Sequence, residues 1–357
     1  MGNARLPNWV SNSILFLFSL AIAFAGGELG LRLLGYHGEN YLKVENTITV
    51  DDPVLNWRQR PNSTSYFNDV VYAMNGDGFR DRSYSYEKPG EVFRIFLASD
   101  SVGYGTNVNV ENSYPKILES KLNSLGHPRR YEVVNYSLPG LSIKQKLHVA
   151  QVYGPRFNPD LYVIDYVPND VEFESRKRPE SEAKQQCRIE LIHLPFPCEL
   201  KASLKQSALV FFLFQAIEQT LQRINLEDRN RFYDQVEGDH YQRLYRAPEK
   251  QEYLRTVFGE IEKFRQVARR PVFVPIFPVI YDYRRYKWTD INDRIVELCR
   301  EHALPYVSLL ESYGKFDYNQ LRVQRGDFTH PSVLGNRIAA EGIAGTMLQQ
   351  GLLPKGN

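Results

Sequence analysis

The sequence predicts an α/β fold, a doubly wound parallel sheet with helices packed on both faces. Three observations carry that prediction. Short apolar runs at 94–98, 132–136, 161–165, 272–276 and 305–309 are rich in Val, Ile, Phe and Tyr, as strands buried on both faces are. Segments of helical length and pattern alternate with them, at 113–125, 142–153, 253–268, 290–302 and 331–348. The composition, 43% hydrophobic and 24% charged over 357 residues, suits a chain that buries a core and excludes wholesale disorder.

Taken in order, the chain first offers residues 9–27, which carry no charge. As a helix this stretch is about 28 Å long, close to the hydrocarbon thickness of a bilayer. Arg5 precedes it, and Glu28, Arg32 and His37 follow. The bias of basic residues places the N-terminus in the cytoplasm and the remainder across an inner membrane, in the periplasm. Two outcomes stay open for residues 1–37. The helix persists as a single-pass anchor, or the small-x-small triplet Ala23-Phe24-Ala25 is cleaved near Ala25 and the domain is secreted. Residues 38–90 are polar, with the turn sequence NGDGFRD at 75–81, and read as an extended lead-in wrapping the domain. From 91 to 350 the alternation gives a flavodoxin-like three-layer α/β/α domain with a five-stranded parallel sheet. A long helical insertion at about 172–250 interrupts it, either capping the site or adding a side subdomain. The insertion opens with ESRKRPESEAKQQ, a solvated loop or a polar lid, and contains an apolar helix near 203–224.

Several function classes are excluded. A net charge of +2 without a long Lys/Arg block leaves no electrostatic footprint for nucleic acid. Three cysteines do not make a disulfide scaffold. In an oxidising compartment Cys187 and Cys198 can pair across their short loop, leaving Cys299 odd; buried free thiols are the alternative. No CxxC pair or HExxH helix offers a zinc site, and no glycine-rich phosphate cradle follows the first strand. The expectation is therefore that no cofactor is required.

In open parallel sheets ligands bind outside the carboxyl ends of the strands. The segments found there are SDSVGYG (99–105), SLPG (137–140), VPND (167–170) and RGDFTHPS (325–332), with Pro331 suited to the first turn of the closing helix. Singly these are ordinary. Ser101 is a loop serine, Gly140 a tight turn, Asn169 a turn former, and Asp327 with His330 a cap and a surface imidazole. The fold, however, brings all four loops to one edge. A serine nucleophile needs a base, the base an orienting carboxylate, and the developing oxyanion donors; Ser101, His330, Asp327, and the Gly140 N–H with the Asn169 amide meet those needs. No other histidine combines a loop after a strand with a nearby carboxylate.

The order strand–Ser, Gly, Asn-Asp, then Asp-x-x-His resembles the SGNH (GDSL-like) hydrolase superfamily over about 94–348, the insertion aside. The lead-in NGDGFRD and the helix ending in ELGLRLLG are similar to its membrane-anchored, extracytoplasmic bacterial members. The resemblance implies Ser101 as nucleophile, His330 as base and Asp327 as its orienter. It further implies an oxyanion hole of the Ser101 and Gly140 backbone N–H groups and the Asn169 side chain. Two positions depart from the pattern: Ser99 and Val167 stand where glycine is usual. A Cβ at 99 would crowd the turn if φ were positive there. Asp100 reads as structural, accepting N–H bonds that fix the nucleophile turn.

The expected function is an extracytoplasmic serine esterase acting on O-acyl, chiefly O-acetyl, esters of a carbohydrate or cell-envelope substrate. Its partners would be that substrate, the membrane through the N-terminal helix, and envelope polysaccharide machinery. An O-acyltransferase of polysaccharide uses the same triad, and a catalytically silent carbohydrate-binding or assembly protein would keep the scaffold alone.

Overall fold

The structure, a computed structural model, describes residues 7–34, 36, 48–49, 54–55, 58–67, 70–171, 200, 203–204, 206–224, 241–324 and 327–354. The named strands are β1 (Ile48–Thr49), β2 (Arg58–Gln59), β3 (Thr64–Phe67), β4 (Val70–Ala73), β5 (Val92–Ser99), β6 (Arg130–Ser137), β7 (Leu161–Ile164), β8 (Val272–Ile276) and β9 (Tyr306–Ser308). The helices used below are α1 (Asn8–Leu33), α2 (Ser101–Tyr104), α3 (Tyr114–Asn123), α4 (Ile143–Val152), α5 (Ala208–Ile224), α6 (Pro248–Ala268), α7 (Thr289–Glu301) and α8 (Val333–Gln349). The chain divides into two compact units, one within 1–45 and 179–226, the other within 46–178 and 227–357.

The second unit holds the predicted sheet. Its five strands are all parallel and ordered β6-β5-β7-β8-β9. The chain reverses its direction of winding on either side of β5, so a crevice opens at the carboxyl end of β5. Side chains alternate between faces as a strand requires. Ile95 and Leu97 join Leu118 and Leu122 of α3 and Ile343 and Met347 of α8 in one layer. Phe96 and Ala98 join Leu147 of α4, Phe258 and Ile261 of α6 and Ile295 and Leu298 of α7 in the other. Each fully buried Leu, Ile or Phe contributes about 1.5–3 kcal/mol, and both faces of the sheet collect such residues. The three-layer α/β/α arrangement follows.

Helix ends are set by recognisable chemistry. Ser142 and Gln145 form a reciprocal capping box at the start of α4. Ser332 caps α8, accepting from the Gly335 N–H at 3.2 Å, so the closing helix begins at Val333 and Pro331 precedes its cap instead of occupying its first turn. In the lead-in, β3 and β4 form an antiparallel hairpin, and the turn 75–81 is held by Asn75, whose Oδ1 accepts the Asp77 and Phe79 N–H groups. Cys299 is a buried free thiol, and burial pushes it well above its ordinary value, which keeps it in the unreactive thiol form. Cys187 and Cys198 lie outside the described residues.

The first unit contains α1 and α5. Helix α1 is long and apolar enough to cross a membrane, and its large apolar side chains are exposed, Phe16 by 67% and Phe18 by 63%. Such a helix is consistent with a single-pass anchor or a signal sequence. Its Glu28 caps the apolar helix of the insertion: Oε1 accepts the Ala208 N–H at 3.1 Å, and Oε2 accepts the Leu209 N–H at 2.9 Å and the Ser207 hydroxyl at 2.7 Å.

Candidate active site

Ser101 is the first residue of α2, directly beyond β5. Asp100 caps that short helix, its Oδ1 accepting the Val102 N–H at 2.9 Å. Ser99 lies in the strand and not in the left-handed region, so its Cβ causes no backbone strain. Its hydroxyl instead donates to Asp165 and accepts the Gly103 N–H at 3.0 Å. The smallness of Gly103 is what admits this bond, because a Cβ there would lie 2.5 Å from Ser99 Cβ.

The lead-in reaches the same turn. Arg80, 2% exposed, donates to the carbonyls of Tyr104 (2.8 Å), Gly105 (2.6 Å) and Val108 (2.9 Å), which satisfies carbonyls at and beyond the end of α2. Its guanidinium also lies 4.2 Å from the centre of the Tyr72 ring. Asp81 next to it accepts from Lys116 and from the Asn135 N–H of β6. The extended lead-in thus fixes the loop after β5 from outside the sheet.

His330 and Asp327 share one turn before α8. Asp327 Oδ1 accepts the N–H groups of Thr329 (3.0 Å) and His330 (2.8 Å), and Oδ2 lies 2.8 Å from His330 Nδ1. His330 Nε2 lies 2.9 Å from Ser101 Oγ. This network assigns the tautomer: Nδ1–H donates to the carboxylate, and Nε2 accepts the serine hydroxyl. Burial works against the charge on Asp327, but the attraction of His330 and the hydrogen bonds from its ring and backbone hold the carboxyl below its ordinary value. Burial also disfavours the imidazolium, yet the charge of Asp327, its hydrogen bond and the charge of Asp100 leave His330 raised. Ser101 itself is buried, with 7% of the residue exposed.

The remaining two predicted residues lie at the same end of the two strands that flank β5. Gly140 follows β6, which runs in register beside β5 with Ser99 opposite Ser137, and its φ of 80° needs a residue without a Cβ. Asn169 lies in the 3₁₀ turn Pro168–Val171 after β7. Among the described residues, neither the Ser101 N–H, the Gly140 N–H nor the Asn169 side-chain amide donates to a protein acceptor. Val167 is accommodated by turning inward: it is 1% exposed in the apolar layer of α3 and α8. A groove of about 610 Å³ lined by Asn158, Tyr162, Lys263 and Arg270 lies at the opposite, amino-terminal end of the strands and has no part in this constellation. Among the described residues, no cluster of His, Cys, Asp and Glu could hold a metal ion.

Beneath the turns sits a group that the sequence reading missed. Lys146 of α4 is 0% exposed and faces Asp100, Asp165 and Asp170. Its position one turn from Ile143 and Val149, on the buried face of an amphipathic segment, was the available signal.

No family model matches the chain, and none of the curated proteins does. Solved structures with a similar fold include an α/β hydrolase, LAE5, from the metagenome of Lake Arreo, Spain. It is 14% identical, with a TM-score of 0.43 over 76% of this chain and 99% of that one. The lipase/acylhydrolase from Enterococcus faecalis is 16% identical, with a TM-score of 0.41 over 74% and 100% of the two chains. A catalytic mutant of Axe2, an acetylxylan esterase from Geobacillus stearothermophilus, is 14% identical, with a TM-score of 0.41 over 74% and 96%.

Proposed function

We propose that this chain is a serine esterase that cleaves O-acyl esters, with O-acetyl groups of a carbohydrate or cell-envelope substrate as its target. The observation that carries the reading is the continuous line from Ser101 Oγ to His330 Nε2 (2.9 Å) and from His330 Nδ1 to Asp327 Oδ2 (2.8 Å). Ser101 Oγ attacks the ester carbonyl while His330 Nε2 takes its proton, and Asp327 stabilises the imidazolium. The N–H groups of Ser101 and Gly140 and the Asn169 amide are free to receive the oxyanion. Collapse expels the alcohol, which takes the proton back from His330, and leaves an acyl-serine. Water, deprotonated by the same His330, then releases the carboxylic acid and restores Ser101. The apolar length of α1 supports attachment to a membrane, and Arg5 ahead of it favours the extracytoplasmic face for the domain, where acylated envelope glycans are within reach.

The test is labelling of the detergent-solubilised full chain with a fluorophosphonate, together with acetate release from an acetylated glycan. Wild type labels and releases acetate, and Ser101→Ala does neither. A well-folded wild type that takes no label overturns the reading.

A further inference from the structure

We propose that Lys146 is a positioning residue whose buried ammonium ties the Ser101 turn to the Asn169 turn and sets their separation. The kinetic consequence rests on the esterase reading above; the geometry does not. Lys146 Nζ donates to Asp165 Oδ1 at 2.8 Å and to Asp170 Oδ2 at 2.7 Å, and lies 3.9 Å from Asp100 Oδ1. Each carboxylate hands the tie to a different segment. Asp100 Oδ1 accepts the Val102 N–H and so caps the helix that begins with Ser101. Asp170 Oδ2 accepts the Val167 N–H at 2.9 Å, and the Asp170 N–H returns to the Val167 carbonyl at 2.8 Å, which closes the turn carrying Asn169. Asp165 Oδ2 accepts the hydroxyls of Ser99 and of Tyr114, the latter at 2.6 Å, and so anchors the end of β5.

The chemistry requires a cation at this point. Three carboxyls converge in a region sealed from water, and without a positive charge between them they repel or take up protons and let go of the N–H groups they hold. Burial favours the neutral amine, but the three carboxyls keep Lys146 protonated, above its ordinary value. The side chain has no route to solvent, and the capping box of Ser142 and Gln145 fixes the helix that carries it. The charge that sets the spacing is therefore itself held in place.

Two readouts on the full chain in detergent test the tie. Hydrogen exchange needs no activity: Lys146→Met is expected to speed exchange at least about 10-fold in 100–105 and 166–171, leaving 92–97 and 114–123 as in wild type. Unchanged protection, or a uniform loss across the sheet, overturns the proposal. The second readout is a double-mutant cycle on kcat with an acetyl ester. Lys146→Met lowers kcat, by no more than the ~10²–10³-fold that one oxyanion donor supplies, with KM within about 2-fold of wild type. In an Asn169→Ala background the same change costs less than about 3-fold more, because the turn it positions no longer matters. Fully multiplicative losses overturn the proposal. Should Lys146→Met fail to fold, Asp170→Asn keeps an acceptor for the Val167 N–H, removes the charge facing Lys146, and is read by the same two measurements. If the exchange pattern is found in a chain that hydrolyses no ester, the esterase reading falls and the tie stands. If Ser101→Ala is silent but the losses multiply, the tie falls and the esterase reading stands.

Discussion

At the amino end of the sheet Arg94 of β5 faces Glu132 of β6; at the carboxyl end Lys146 faces Asp100, Asp165 and Asp170. Both clusters are buried, yet they are built differently. The Arg94 guanidinium grips Glu132 Oε2 twice, at 2.7 and 2.9 Å, and donates once more to the Phe157 carbonyl, while Arg130 covers Glu132 Oε1. Every oxygen of that carboxylate is bonded. At the other end three carboxyls share one ammonium, and among the described residues Asp100 Oδ2 and Asp170 Oδ1 have no hydrogen-bond partner. Burial pushes Asp100 and Asp170 up against the pull of Lys146. A closed, balanced pair is what a framework needs, whereas a surplus of acid beside His330 favours the imidazolium that the proposed acyl transfer requires. The contrast separates charge used to hold the sheet from charge used at the site.

The largest expected effect breaks the chemistry and leaves the framework intact. Ser101→Ala is expected to lower kcat on an acetyl ester by up to ~10⁶-fold with an unchanged urea midpoint, measured by initial rates and by fluorescence-monitored unfolding. Asp327→Asn is expected to cost ~10⁴-fold, because an amide no longer demands the Nδ1–H tautomer of His330. Restoration of near-normal turnover by that variant would remove Asp327 from the mechanism. Arg94→Met is the reverse case. It leaves Glu132 buried with its main cation gone, so a loss of about 3–5 kcal/mol in urea unfolding is expected while kcat of the folded fraction stays close to wild type. A loss of kcat at full stability would erase the distinction between the two clusters.

The smallest effect sharpens the comparison through pH. Because His330 is raised, kcat/KM is expected to climb with pH through a value above the ordinary 6.5. Asp100→Asn removes a neighbouring negative charge that favours the imidazolium, so that limb shifts to lower pH, by less than about one unit. A shift to higher pH would contradict the assignment. Stability follows the same linkage. The raised His330 contributes stability fully below its unfolded value and loses it as pH rises through its folded value. The lowered Asp327 contributes above its unfolded value and loses it as pH falls through its folded one. The pair therefore stabilises most between those two limits.

Much of this was readable from residue pattern. Strands buried on both faces announce themselves as continuous apolar runs, so 92–99 and 130–137 were found with only their ends one or two residues short. Four loops after four strands follow from parallel topology, which is why the sequence alone groups residues far apart in the chain. Charge inside the fold was not readable in the same way. Lys144 and Lys146 look alike in IKQKLHVAQV, and only the packing of α4 on the sheet leaves the first exposed and the second sealed. Arg80 was seen as part of a turn, while its role depends on carbonyls more than twenty residues away. Helix starts hinge on local hydrogen bonds too, so the cap at Ser332 displaced the expected start at Pro331.

The fit of Ser99 against Gly103 has a consequence for how this chain can vary. While a serine occupies 99, no side chain is tolerated at 103, where a new methyl would also stand 2.8 Å from Ser137 Oγ. Position 99 must lose its Cβ, and the Ser137 hydroxyl must turn aside, before 103 can grow, and the intermediate gives up the hydroxyl shared by Asp165 and the Gly103 N–H. The two sites are thus bound into one epistatic pair, with a permitted order of replacement and a forbidden one.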